Sequence, residues 1–204
     1  MNVFYNKEHV GDVLLVQLAT EPIVKTVVER AGDIAILKEA QTGEIKAFNL
    51  FNASSYIQTD ARGLVEVTPE LVAQLTAAIE KNGATINLDV DFSPKFVVGY
   101  VETKDKHPNA DKLSICSVNV GDETLQIVCG APNVEAGQKV VVAKIGAVMP
   151  SGMLIKAGNL RGVESYGMLC SARELAIPNA PSEKGILVLP EDATIGSAFE
   201  TPTK

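Results

Sequence analysis

The sequence predicts a mostly β chain with minor α content, in which a small N-terminal α+β domain precedes a five-stranded β-barrel. Three observations carry that expectation. Short runs rich in β-branched residues recur along the chain, separated by glycine- and proline-bearing turns. One segment alone, residues 68–83, shows sustained four-residue apolar spacing. The charge balance also changes near residue 92, which divides the chain into domains 1–92 and 93–204.

In the first half, residues 12–18 (DVLLVQL), 26–30 (TVVER) and 33–38 (DIAILK) read as strands, with turn signals at Gly11, Gly32 and Thr42-Gly43. Residues 44–50 (EIKAFNL) return in alternation, so a small antiparallel sheet is predicted. Residues 68–83 (TPELVAQLTAAIEKNG) form the one strong helix. Thr68 is placed to cap it, Pro69 fits a first turn where its missing N–H is harmless, and Gly83 supplies a left-handed stop. Leu71, Leu75 and Ile79 give the stripe that docks on the sheet. Residues 88–95 (LDVDFSPK) then mark the boundary.

The second half changes character. Residues 96–102, 113–120, 125–129, 139–145 and 185–189 read as strands, separated by the turns HPNAD, GDE, GAPN and MPSG. Short strands with no long helix predict a small closed or nearly closed barrel of the OB type. Gly99, Gly146 and Gly167 fall where sharply coiled strands would bend.

The formal net charge is −7. Up to Phe92 there are seven Lys/Arg against thirteen Asp/Glu, and from Ser93 onward eleven against twelve. The acidity therefore belongs to the first half, which predicts that this half does not touch RNA. In the second, bases cluster at Lys104, Lys106 and Lys112, then at Lys139, Lys144, Lys156 and Arg161. That permits a modest basic surface, although scattered lysines also serve as plain solvation.

Other classes are disfavoured. The apolar run at residues 13–18 is far too short to span a bilayer, and residues 1–7 have no basic lead of a secretory signal. Cys116, Cys129 and Cys170 make an odd count without a C-x-x-C pair, and only His9 and His107 join them, so neither a disulfide framework nor a metal site is expected. Cys129 and Cys170 lie in apolar, strand-like contexts with His107 as the one histidine in that half. No phosphate loop, G-x-S-x-G or H-E-x-x-H occurs. The expectation is a soluble, reduced, cytoplasmic protein, not an enzyme, with no cofactor and no membrane partner.

Four blocks go further: HPNADKL (residues 107–113), IVCGAPNV (127–134), KIGAVMPSGMLIK (144–156) and LRGVESYGMLCSAREL (160–175). In this order they resemble the tRNA-binding OB-fold domain of the bacterial phenylalanyl-tRNA synthetase β subunit, a relative of EMAP-II-like domains, over roughly residues 96–199. GILVLPEDATIGSAF (185–199) looks like that domain's closing strand. The whole chain resembles YtpR-type two-domain proteins, and its end at Lys204 sets it apart from a synthetase subunit. The resemblance implies tRNA as partner and a homodimer like that of stand-alone relatives. An aminoacyl-tRNA synthetase or another protein is a further partner class. The alternative is an assembly module whose barrel has little RNA affinity.

Within these blocks, Lys112, Lys156 and Arg161 are the phosphate-binding candidates, Arg161 in bidentate fashion. Lys104, Lys106 and Lys144 would widen the patch. Asn109 and Ser165 are placed to bond a 2′-hydroxyl or base edge, and Met168 to offer an apolar plate. The family associates the S-x-G-M element with tRNA, here residues 165–168 followed by Ser171. Architectural readings stand beside these: Asn109 and Asp111 as turn caps, Asn133 as a turn residue, Met168 as core filler, Glu174 in an ion pair or helix start.

Overall fold

Alternating burial builds the first sheet of the computed structural model, which describes residues 1–21 and 23–200. The chain divides into two units, Met1–Phe92 and Ser93–Lys204. In the first, β1 (Asn2–Tyr5), β2 (Val13–Gln17), β3 (Thr26–Ala31), β4 (Ile34–Glu39), β5 (Ile45–Phe51) and β6 (Gly63–Val65) pair in the order β3-β4-β5-β2-β1-β6. Every pairing is antiparallel. Val3, Tyr5, Leu14, Val16, Ile34, Ile36, Phe48 and Leu50 share one core with Leu71, Leu75, Ala78 and Ile79 of α1 (Pro69–Lys81). The Thr68 hydroxyl accepts from Leu71 N–H at 3.2 Å and caps that helix as its sequence predicts.

A buried carboxylate fastens the edge of this sheet. Glu39, 8% exposed, accepts from Val24 N–H at 2.8 Å and Lys25 N–H at 3.3 Å, tying the lead into β3 to the end of β4. Those amides, Val24 foremost, hold its carboxyl below the usual glutamate range against the opposing effect of desolvation.

In the second unit, β7 (Phe96–Lys106), β8 (Ser114–Asn119), β9 (Thr124–Cys129) and β10 (Lys139–Lys144) are followed by β11 (Gly158–Leu160), β12 (Val163–Ser165), β13 (Gly167–Leu169) and β14 (Val188–Leu189). The sheet order β13-β10-β7-β8-β9 makes the five-stranded, nearly closed barrel that the sequence predicts, in a chain that is mostly β. The long β7 coils past a register shift between Val101 and Thr103. Inside, Val97, Val101, Val118, Ile127, Val140, Val142 and Leu169 are packed. Gly99 lets β7 approach closely, since a Cβ there would lie 2.4 Å from Val142 Cγ2 and 2.8 Å from Val118 Cγ1. A second cluster, including Val141, Ala147, Met149, Ile155, Cys170 and Leu175, is separate from this interior.

The barrel's fifth strand corrects the sequence reading. It is β13, a three-residue element inside the 160–175 block, whereas residues 185–189, read as a strand, supply only the two-residue β14 beside β10.

Glu39→Gln is expected to lower the urea midpoint of the first unit at pH 7. The folded carboxyl titrates below its unfolded value of about 4.3, so its stabilisation is complete above about pH 4.3 and is lost as pH falls through the folded value. Urea midpoints between pH 7 and pH 3 should therefore fall less steeply in the variant; parallel profiles would contradict the assignment.

Candidate nucleic-acid interface

The barrel closes along a seam between β9 and the β12–β13 corner. Tyr166 N–H donates to Gln126 O at 2.9 Å, and the Gln126 side-chain amide donates to Glu164 O at 2.7 Å. Between them, the Ser165 hydroxyl accepts from Val128 N–H at 3.0 Å and donates to Gly167 O at 3.3 Å. Ser165 is 4% exposed. The expectation that it bonds a 2′-hydroxyl or base is therefore corrected: its donor and an acceptor lone pair are spent inside the protein. The next small residue is equally structural, for a Cβ on Gly167 would meet Ala143 O at 2.9 Å.

From that seam the β11–β12 hairpin projects with Leu160 opposite Val163, leaving Arg161 and Gly162 as a two-residue turn. Both have positive φ, 50° and 93°, the mark of a type I′ turn. Arginine resists that conformation by about 1–2 kcal/mol, so neighbours must hold it. They come from residues 107–109, at the far end of β7. The Asn109 side-chain amide donates to Arg161 O at 3.1 Å, and His107 Nε2 lies 2.9 Å from Leu160 O. His107 Nδ1 meets the Asn109 backbone N–H at 3.1 Å, and Asn159 Oδ1 accepts from Gly162 N–H at 2.8 Å. Two loops about fifty residues apart are thus clasped together.

Cations flank the two clasped segments in sequence. Lys112 lies three residues beyond Asn109, and Lys156 five before Arg161, within roughly 17 Å along extended chain. Lys106, Lys112, Lys156 and Arg161 are all exposed and make no ion pair among the described residues. Lys104 and Lys144, expected to widen the patch, are neutralised instead: Lys104 binds Glu135 at 2.8 Å, while Lys144 binds Glu123 at 2.8 Å and Asp122 at 3.4 Å. Lys139 likewise donates to Ala193 O and Glu191 O.

The other sequence candidates divide. Asn109 is exposed, yet its amide serves the clasp. Ser171 is half-buried and forms a capping box with Glu174, accepting from Glu174 N–H at 3.2 Å while both its N–H and hydroxyl donate to the Glu174 carboxylate, at 2.8 and 2.7 Å. It is therefore a turn residue. Met168 is half-buried on β13, packed against the outer cluster and lining an open groove of about 620 Å³ with Val128, Leu169 and Ile186. Asn133 is architectural, exchanging two bonds with the Ile186 backbone at 3.0 and 2.8 Å. His107 was legible only as a lone possible base, because nothing in spacing announces a ring that bonds Leu160.

The thiols are unsuited to attack. Burial pushes Cys116 up to about 11 and Cys170 up to about 12, and raises Cys129 as well. No helix among the described residues is long and apolar enough to cross a membrane.

Comparison with known proteins adds independent findings. A family profile described as "Putative tRNA binding domain" matches residues 96–198, and one described as a domain of unknown function matches residues 24–91. The chain is 58% identical over 200 residues to the "Putative tRNA-binding protein YtpR" of Bacillus subtilis, covering 98% of this chain and 100% of that protein. It is 50% identical over 149 residues to the phenylalanine–tRNA ligase beta subunit of Oceanobacillus iheyensis, covering 69% of this chain and 17% of that subunit. Among solved structures, a MetRS related protein from Pyrococcus horikoshii aligns with a TM-score of 0.40 at 23% identity, over 57% of this chain and 100% of that one.

Two outcomes follow from the seam and the thiols. Ser165→Ala leaves Val128 N–H without its acceptor and is expected to cost about 1–3 kcal/mol in chemical denaturation; an unchanged midpoint would show that the seam does not depend on the hydroxyl. In the native protein a thiol-reactive dye at pH 8 should label none of the three cysteines within minutes, whereas the urea-unfolded chain should release all three.

Proposed function

The chain belongs to the tRNA-binding domain family, and from that premise we propose that it is a non-catalytic, cytoplasmic tRNA-binding protein that reads RNA shape largely without sequence specificity. The observation that carries this reading is the clasp between residues 107–109 and 160–162, whose segments carry or closely flank Lys106, Lys112, Lys156 and Arg161, exposed and without an ion pair among the described residues. Phosphates are the natural counterpart of such a set: Arg161 grips two oxygens in a fork, while Lys106, Lys112 and Lys156 act as point charges. Met168 and its groove offer an apolar surface for an unstacked base. Buried thiols with raised pKa support the non-catalytic part of the reading.

A protein partner is the second part. Val24, Val27 and Val28 are 83, 43 and 57% exposed on and before β3, the edge strand of the acidic unit. An unprotected apolar edge suits docking to a second copy of the chain or to another protein, a synthetase among them. Partners that survive nuclease treatment of a lysate would favour this route, and partners lost with the RNA would not.

Four phosphate contacts give a slope of about −3 to −4 in log K against log salt. Affinity for unfractionated tRNA, followed by fluorescence anisotropy, is then expected to fall roughly 50- to 150-fold between 50 and 200 mM salt. Lys156→Ala with Arg161→Ala should flatten that slope by about 2 without shifting the thermal midpoint. Binding that ignores salt, or that survives the double substitution, would defeat the reading.

A further inference from the structure

His107 is 5% exposed, although Pro108, Asn109, Asp111 and Lys112 beside it are all exposed. Its two ring nitrogens face opposite kinds of partner. Leu160 O is a carbonyl and only accepts, so Nε2 carries the hydrogen. The Asn109 backbone amide only donates, so Nδ1 is bare. The partners on both sides therefore assign the Nε2–H tautomer, with Nδ1 as the acceptor. Residues 107 and 109 together hold two consecutive carbonyls, Leu160 O and Arg161 O, at the turn where Arg161 keeps a left-handed φ of 50°. A non-glycine residue stays in that region only when its surroundings over-determine it.

We propose that His107 is a positioning residue for tRNA: its imidazole pins the β11–β12 tip to the 107–109 turn, so that Arg161 is held in one place for a phosphate. This rests on the tRNA-binding reading above. The imidazole has two separable arms. Its Nδ1 bond to the N–H two residues on reproduces an Asx-turn, which an asparagine side chain makes equally well. Its Nε2 bond spans to the hairpin, which the shorter asparagine does not reach. His107→Asn accordingly keeps the loop's own turn and releases the hairpin.

The test is a double-mutant cycle in tRNA affinity, run with thermal midpoints on the full chain. His107→Asn is expected to weaken binding roughly 3- to 10-fold while leaving the midpoint within a few degrees. Arg161→Ala should weaken the wild-type protein about 5- to 10-fold but the His107→Asn protein less than about twofold, because an unpinned tip no longer presents its guanidinium. Equal losses in the two backgrounds overturn the proposal. Should His107→Asn fail to fold, Asn109→Ala replaces it in the cycle: it removes the Arg161 O bond, keeps the imidazole, and should show the same loss of coupling. Nitrogen-15 NMR of the ring at pH 7.5 tests the clamp without RNA, and a protonated Nδ1 overturns it. If the wild-type protein binds no tRNA while Nδ1 is found bare, the tRNA reading fails, the positioning role falls with it, and the clasp is architecture alone.

Discussion

The barrel of the second unit is closed where β9 meets β12, and the closure runs through the Ser165 hydroxyl, which takes the Val128 N–H in place of a carbonyl that a regular ladder would offer. Where the β11–β12 hairpin stands depends on that seam. With Tyr166 and Gln126 bonded on either side, β12 is fixed at the barrel wall, and among the described residues its ladder partner is β11. The hairpin must therefore project from the seam, and its tip arrives at residues 107–109. The position of Arg161 is thus a consequence of how the barrel is sealed. It does not arise from a loop that happens to carry a base.

The recognisable block at residues 160–175 separates two kinds of residue by reach. Ser165 and Ser171 have short polar side chains, and the nearest donors and acceptors are backbone groups of their own neighbourhood, so both are consumed by the architecture. Lys156 and Arg161 carry charge on long stems. Burying that charge would cost several kcal/mol, so the heads stay in water while the stems cover the surface. The same rule explains Lys104 and Lys144. Each is only partly exposed, at 27% and 14% of its side chain, and each has a carboxylate against it. A motif shared with RNA-binding relatives therefore mixes residues that build the barrel with residues that the barrel displays.

Much of this was legible in the sequence where local chemistry and tertiary packing agree. Runs of β-branched residues became β2 to β5 and β7 to β10, and Thr68, Pro69 and the leucine stripe marked α1 to within two residues. What escaped was short. β1, β6 and β13 have four, three and three residues, too few for an alternation to register, yet β1 lies inside the first sheet and β13 completes the barrel. Their strand character comes from neighbours that are remote in sequence. The site divides in the same way. Charge and motif singled out Lys112, Lys156 and Arg161, because cations announce themselves by type. The roles of Ser165 and His107 depend on Val128 and Leu160, partners 37 and 53 residues away that no local pattern encodes.

The electrostatics explain why placement matters so much here. A strongly basic protein holds RNA through many loosely arranged charges, and losing the order of one of them costs little. This chain has a net charge of −7, and its second half holds eleven basic residues against twelve acidic ones. Lys104 and Lys144 are already committed to carboxylates. At physiological salt the screening length is about 8 Å, so on the proposed reading a phosphate at the hairpin tip would respond to cations within that distance and hardly to the chain's total. Attraction is then a matter of contact geometry. A cation held 5 Å from its phosphate has lost most of the charge-assisted hydrogen bond that makes the contact worthwhile. On the tRNA reading proposed above, a site with few charges compensates by fixing them: a serine seals the wall, a strained turn carries the arginine, and a buried imidazole and an amide hold two adjacent carbonyls of that turn.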